Sequence, residues 1–129
     1  MKEIDEIIQI QNEINKLQDR KNLLTKPKYT DFSYINELYK KYMRFQANKN
    51  LSHKGTYNAC KFIYIVLYLY SPHTLAGGKT IPGIIKRLKE CLDTSSGTMV
   101  SDYINRTRFF YKTYKEFRES IDELIKDVK

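Results

Sequence analysis

The segment Leu75-Ala-Gly-Gly-Lys-Thr80 contains the residue types of a phosphate-binding loop. A P-loop follows the pattern GxxxxGK[ST], in which backbone amides and the lysine surround a phosphate. Here His73 occupies the position of the first glycine, and no later apolar strand ends in an aspartate that could hold magnesium. The sequence therefore argues against nucleotide binding, although Lys79 in an amide-rich loop could still contact a DNA phosphate.

Two cysteines and two histidines are the remaining candidates for metal or nucleophilic chemistry: Cys60, Cys91, His53 and His73. Their spacing lacks the close ligand pairs of a zinc site, so we predict no bound metal and expect the cysteines to be buried as small apolar side chains. No nucleophile–base pair or carboxylate dyad is apparent either. The sequence therefore predicts a protein that is not an enzyme and has no cofactor and no small-molecule substrate.

Positive charge is concentrated in the middle of the chain. The net charge of the 129 residues is +8. Residues 25–118 carry seventeen basic and six acidic side chains, whereas residues 1–24 and 119–129 have net charges of −1 and −2. A basic middle between acidic ends indicates a surface for a polyanion, most often nucleic acid, and a lysine-rich solvated surface is the alternative.

The most apolar run, Phe62–Tyr70, is nine residues long, and a membrane span needs about 20. Its aromatic and β-branched residues favour a strand, but the length of the whole segment 56–70 favours a buried helix. We predict a helix, because no second strand-like run exists to accept its hydrogen bonds. With a charged N-terminus that does not resemble a signal peptide, we expect a soluble, cytoplasmic protein without membrane contact.

Both ends of the chain show amphipathic helical spacing. Near the N-terminus the apolar residues follow a heptad pattern, which Lys21 interrupts. A second stripe near the C-terminus has 4-3-4 spacing. The two stripes could pair within one chain or between two, and we expect a homo-oligomer. The candidate oligomerisation residues are Ile7, Ile10, Ile14, Leu17, Leu24, Phe117, Ile121 and Leu124.

Residues 81–108 have the layout of a helix-turn-helix unit. A first helix is predicted to start at Thr80 or Ile81, with Pro82 in its first turn. The polar segment 93–97 forms the turn, in which Ser95 or Ser96 can cap the next helix. That helix starts near Thr98 and places an apolar stripe opposite a polar face. The polar face carries Thr98, Ser101, Asp102, Asn105, Arg108 and Lys112.

Such a polar face suits the major groove of DNA. Asn105 could contact adenine in bidentate fashion, and Arg106 or Arg108 could reach guanine or phosphate. Thr98 and Ser101 lie where the helix dipole favours an anion. Asp102 would repel phosphate and could read cytosine or orient an arginine. Phosphate affinity is expected from Lys79, Lys86, Arg87, Lys89, Arg106, Arg108 and Lys112, and the alternative is an ordinary solvated helix face.

The segment Thr98-Met-Val-Ser-Asp-Tyr-Ile-Asn105 resembles the recognition helices of bacterial and phage helix-turn-helix proteins. The resemblance covers residues 80–108. The turn is about one residue longer than the common pattern, and Lys89 replaces the usual small residue of the first helix. The arrangement is similar to phage regulators and small terminase subunits, which join such a unit to oligomerising helices. The resemblance implies double-stranded DNA as partner.

These observations predict an all-α protein of five or six helices. Its parts would be an N-terminal amphipathic helix at 1–25, a basic helical domain at 29–118 with the helix-turn-helix unit at 81–108, and an acidic helix end at 119–129. The expected function is non-catalytic DNA binding, as a small transcriptional regulator or a phage packaging or replication adaptor. The alternative is an assembly protein that acts through its terminal helices.

Overall fold

The computed structural model describes residues 1–48, 55–93 and 96–128. It is all-α, as the sequence predicts, and the described residues contain no strand. The helices are α1 (Lys2–Leu24), α2 (Tyr34–Asn48), α3 (Thr56–Tyr70), α4 (Pro72–Leu75), α5 (Ile84–Cys91), α6 (Gly97–Thr113) and α7 (Lys115–Val128). No helix in these ranges combines the length and the apolar character that crossing a membrane requires.

Helix α3 is the centre of the fold. Ten of its residues are buried, among them Phe62, Ile63 and Val66. It is covered by α2, α4, α6 and α7, so it is apolar on every side, as expected of a helix inside a core. The prediction of a helix rather than a strand is confirmed here. The β-branched and aromatic residues that favoured a strand serve to fill the space between the surrounding helices.

Helix α5 begins later than the sequence suggested. Gly83 adopts a left-handed conformation (φ +95°) directly before Ile84, so the helix cannot extend back to Thr80 or Ile81. An added Cβ at Gly83 would lie 3.2 Å from the ring of Phe32, which leaves little room for a side chain. Pro82 therefore lies in the preceding loop rather than in the first helical turn.

The C-terminal stripe is part of the core. Helix α6 ends at Thr113, the backbone of Tyr114 is extended, and α7 then packs against α2, α3 and α6. Phe117, Ile121 and Leu124 are buried in these contacts. They consequently do not form the exposed oligomerisation surface expected from the sequence, and they do not pair with the N-terminal heptads.

Helix α1 has a different environment, because none of its residues is buried. The connector that follows α1 is held firmly, however. The backbone amides of Lys28 and Tyr29 both donate to the carbonyl of Leu69, at 2.8 and 2.9 Å, and the Lys28 ammonium lies 4.0 Å above the ring centre of Tyr68. The connector therefore fixes the base of α1 at the end of α3, and the helix extends from there with its apolar stripe uncovered.

Candidate nucleic-acid interface

Helices α5 and α6 form the segment in which the sequence predicts DNA recognition. Ile84 and Leu88 anchor α5 in the core, and Ser96 caps α6 by accepting a hydrogen bond from the amide of Met99 at 3.2 Å. Ser96 is thus the cap, one of the two alternatives considered. The other alternative, Ser95, lies outside the described residues. Two packed helices with a short connector are present, while a helix-turn-helix docking geometry stays a prediction.

One face of α6 is fixed against α3. Val100, Ile104 and Thr107 are buried there. The Thr107 hydroxyl is 2.7 Å from the carbonyl oxygen of Tyr103 and 3.4 Å from that of Cys60, so it links the two helices. Because this face is anchored, the rest of α6 is held in one orientation. The exposed residues of the predicted interface on α6 are Thr98, Ser101, Asp102, Asn105, Arg106 and Lys112.

Arg108, which was assigned to DNA contact, is half-buried and holds a loop against α6. Its Nε donates to the carbonyl of Thr74 at 2.7 Å, and one terminal nitrogen donates to the carbonyl of Gly78 at 3.3 Å. The other terminal nitrogen donates to Oδ1 of Asn105 at 3.0 Å. One guanidinium therefore joins the end of α4, the loop at residues 76–80 (called the glycine loop) and the exposed face of α6.

The glycine loop itself is tightly folded. The amide of Gly78 donates to the carbonyl of His73 at 2.9 Å, and a Cβ at Gly78 would lie 2.8 Å from the His73 ring, so glycine is required there. The carbonyl of Lys79 lies 2.6 Å from Nε2 of His73 and 3.3 Å from the hydroxyl of Thr74. These bonds fix the backbone of Lys79 while its side chain remains exposed.

The surroundings of this loop do not match a P-loop. A P-loop follows a strand, whereas here the preceding elements are the helices α3 and α4. The carbonyls of Thr74 and Gly78 accept from Arg108, so part of the loop's polar backbone is engaged within the protein. The loop is accordingly suited to presenting Lys79 rather than to surrounding a nucleotide phosphate.

The loop and α5 lie along the same edge of α6. Gly97 is close to α5, since an added Cβ would be 3.9 Å from the side chain of Ile85. Arg108, which contacts the loop, is eleven residues further on, which corresponds to about three full turns. Contacts with Ile85 and with Gly78 therefore occur on one side of α6. The loop carries the exposed Lys79, and α5 carries the exposed Lys86 and the half-buried Lys89.

The Arg87 side chain has two acidic neighbours. Its guanidinium is 3.6 Å from the carboxylate of Glu90, and it lies close enough to Asp31, before α2, to influence that carboxyl group. Hydrogen bonds from Ser33 are the main reason why the pKa of Asp31 is lowered, and the charge of Arg87 adds a smaller effect. Arg87 is therefore partly engaged on the α2 side of α5.

The other basic residues of the predicted interface take part in no ion pair found among the described residues: Lys79, Lys86, Lys89, Arg106 and Lys112. They come from a loop and two helices that pack together. Since these five residues form no ion pair in the part of the chain that the structure describes, a polyanion is a suitable counterpart.

Phe109 lies on the outer side of α6 and is 55% exposed. Its ring is 6.1 Å from that of Tyr114 in an edge-to-face arrangement. It falls between Asn105 and Lys112 on the same side of the helix. Its ring is therefore accessible to a partner.

The thiols show no sign of a metal site or of activation. Among the described residues no cluster of histidine, cysteine or carboxylate side chains could hold a metal ion. Burial raises the pKa of both thiols, that of Cys91 to about 11. The Cys91 thiol donates to Oδ1 of Asn36 at 3.2 Å. Both cysteines thus behave as packing residues at neutral pH.

Comparisons with protein-family models, with curated proteins and with solved structures give no match to this chain.

The sequence missed the residues that position Lys79. His73 and Gly78 enter the sequence argument only through the P-loop pattern, which the segment does not satisfy, whereas in the structure His73, Thr74 and Gly78 fix the loop backbone. The presence of two adjacent glycines before a lysine was a usable signal for a tight turn. No sequence signal indicated that Arg108, thirty residues away from Gly78, would bind this loop.

Proposed function

We propose that the protein binds double-stranded DNA without catalysing a reaction, and that the exposed face of α6 is the surface that enters the major groove. One observation carries this proposal. The polar face of α6 is held in place because the opposite face is buried, and the elements packed against α6 carry two exposed lysines, Lys79 in the loop and Lys86 in α5, that form no ion pair among the described residues. Short polar groups flanked by unneutralised lysines are what base reading and phosphate binding require together.

The residues divide into two roles. Base reading is assigned to the short polar side chains Thr98, Ser101, Asp102 and Asn105, and phosphate binding to the basic ones around them. Asn105 remains competent although its Oδ1 accepts from Arg108, because that oxygen has a second lone pair and the amide nitrogen keeps both hydrogens. Arg108 and Arg87 are assigned supporting roles, since their guanidinium groups already have partners within the protein.

Two substitutions separate these roles. Asn105→Ala should flatten the preference for sequence with little change in the affinity for random DNA. Lys112→Ala should weaken binding to all sequences equally and reduce the slope of log K against log salt by about one. Fluorescence anisotropy with preferred and random duplexes measures both effects.

Lys40→Ala provides a matched control, because Lys40 is an exposed lysine on α2 that pairs with Glu37 at 3.4 Å. This variant should bind DNA like the unmodified chain. Equal losses for all sequences in both the Asn105 and the Lys112 variants would refute the division of roles. A loss of the same size in the Lys40 variant would refute the assignment to α6.

In the cell such an activity fits a small transcriptional regulator or an adaptor in phage DNA packaging or replication. The second candidate is an assembly protein that acts through its terminal helices, and the uncovered apolar stripe of α1 favours it. Oligomerisation that persists when residues 80–118 are altered, together with no DNA binding at low salt, would support this second function instead.

A further inference from the structure

Helix α1 exposes a row of large apolar side chains that the rest of the described chain does not cover. Its isoleucines and leucines are between 48 and 70% exposed: Ile4, Ile7, Ile8, Ile10, Ile14, Leu17, Leu23 and Leu24. A solitary helix of this length gains little stability from its backbone alone, and an apolar row of this size marks a contact surface. A second helix is the natural cover for it.

The spacing of the row defines the geometry of that cover. Ile7, Ile10, Ile14 and Leu17 alternate by three and four residues, which is the a/d seam of a left-handed coiled coil. Extending the same register places two charged residues in the seam, Glu3 at its beginning and Lys21 near its end. A charged residue in a seam needs a suitable partner opposite it, so these two positions report on how the helices are arranged.

The charge of α1 changes sign along its length. Residues 2–13 carry one basic and four acidic side chains, whereas residues 14–24 carry three basic and one acidic. Two copies of this helix in parallel would place like halves side by side, including Lys21 against Lys21 and Glu3 against Glu3. Two antiparallel copies place the acidic half of each against the basic half of the other.

One antiparallel register pairs every seam position from Glu3 to Lys21. When Ile10 lies opposite Ile14 of the second copy, Ile7 lies opposite Leu17, and Glu3 lies opposite Lys21. At the flanking positions Glu6 comes near Arg20 of the second copy, which adds attraction on both sides of the two-fold axis. Glu13 meets its own copy near that axis, and this single like-charge contact opposes the four attractive ones.

We propose that the chain forms an antiparallel homodimer through α1, in which Glu3 and Lys21 of opposite copies form ion pairs at the two ends of the seam. The two folded bodies then attach at opposite ends of the helix pair. This inference is independent of DNA binding.

A charge exchange tests the arrangement in the full chain. Glu3→Lys alone and Lys21→Glu alone each place like charges opposite each other at both ends of an antiparallel seam. Each should raise the dimer dissociation constant about tenfold, since two attractive pairs become repulsive. The double variant restores opposite charges and should return to within about threefold of the unmodified chain, because its pairs are only reversed. Sedimentation equilibrium over micromolar to submillimolar concentrations measures these constants.

Two control variants make the same charge changes outside the seam. Lys16 and Asp19 lie on the outer side of the proposed pair, so Lys16→Glu and Asp19→Lys should leave the dissociation constant nearly unchanged. All eleven tyrosines lie outside α1, so tyrosine fluorescence checks independently that the body of each variant is folded.

The proposal is overturned if the unmodified chain is monomeric at every concentration. It is equally overturned if a dimer forms but neither single substitution weakens it, because a parallel pair has like charges opposite each other before and after each change. Binding of the monomeric chain to anionic phospholipid vesicles through α1 would also overturn it, and would assign the apolar row to a membrane surface.

Discussion

The two terminal helices have similar apolar patterns and different environments. In α7 the stripe of Phe117, Ile121 and Leu124 is buried between three other helices. In α1 a longer stripe, which includes Ile10 and Ile14, is about half exposed. The comparison teaches that a 3-4 spacing predicts an amphipathic helix but does not identify what covers it. The stripe of α7 is covered by its own chain, and the stripe of α1 is available to a second molecule.

The largest expected effect comes from shortening a side chain in the buried stripe of α7. Phe117→Ala should reduce the free energy of unfolding by about 3–5 kcal/mol, because it removes a fully buried ring that contacts Tyr57, Tyr64 and Phe110. Urea unfolding followed by tyrosine fluorescence gives the value.

Two controls sharpen that result. Phe109→Ala removes the same side chain from an exposed position, and we expect a change of less than about 1 kcal/mol. Ile14→Ala in α1 should hardly change the free energy of unfolding that tyrosine fluorescence reports, because Ile14 is exposed and α1 contains no tyrosine. A large loss in the free energy of unfolding for Ile14→Ala in the monomeric chain would mean that α1 packs on the other helices.

The same contrast between inward and outward side chains recurs within α6 at a smaller scale. Arg108→Ala removes three hydrogen bonds, one to a carbonyl of α4, one to a carbonyl of the glycine loop and one to the side chain of Asn105. We expect a loss of about 1–3 kcal/mol in stability and faster proteolysis at residues 76–80. Arg106→Ala removes the same charge from an exposed position and should change stability by less than about 0.5 kcal/mol. Equal stability of the two variants would contradict the bracing role of Arg108.

The smallest expected effect is on the pH dependence of unfolding at alkaline pH. It arises outside α1, since α1 contains neither cysteine nor tyrosine. Burial raises the pKa of Cys91 to about 11, whereas the thiol of an unfolded chain ionises near pH 8.5. The buried neutral thiol therefore stabilises the fold fully below about pH 8.5, and this contribution is lost as the pH rises towards 11. Unfolding measured between these limits should depend less on pH in Cys91→Ala. An unchanged pH dependence would show that other groups, such as Tyr70, dominate.

The sequence predicted α3 correctly although its local residue types favour a strand. The segment 56–70 was taken as a helix because the rest of the sequence offers no second strand-like run to pair with it. The start of α5 was misplaced, because Pro82 suits a first helical turn, whereas Gly83 adopts a left-handed conformation and lies close to the ring of Phe32. That contact joins residues about fifty positions apart, which local patterns do not encode.

The candidate site was less predictable than the fold. Helical periodicity correctly placed Asn105 and Lys112 on the outer face of α6. It placed Arg108 there as well, although Arg108 lies at the edge of that face and its long side chain reaches the carbonyls of Thr74 and Gly78. Periodicity gives the direction of a side chain from its helix but not the neighbour that it meets.

Binding of the full chain to duplex DNA, measured by fluorescence anisotropy between about 50 and 200 mM salt, tests the central claim most directly. We predict binding that weakens steeply with salt and retains a preference among genomic sequences, which would make the exposed face of α6 the surface to alter next. No binding at the lowest salt would contradict the claim and would leave α1 as the functional surface.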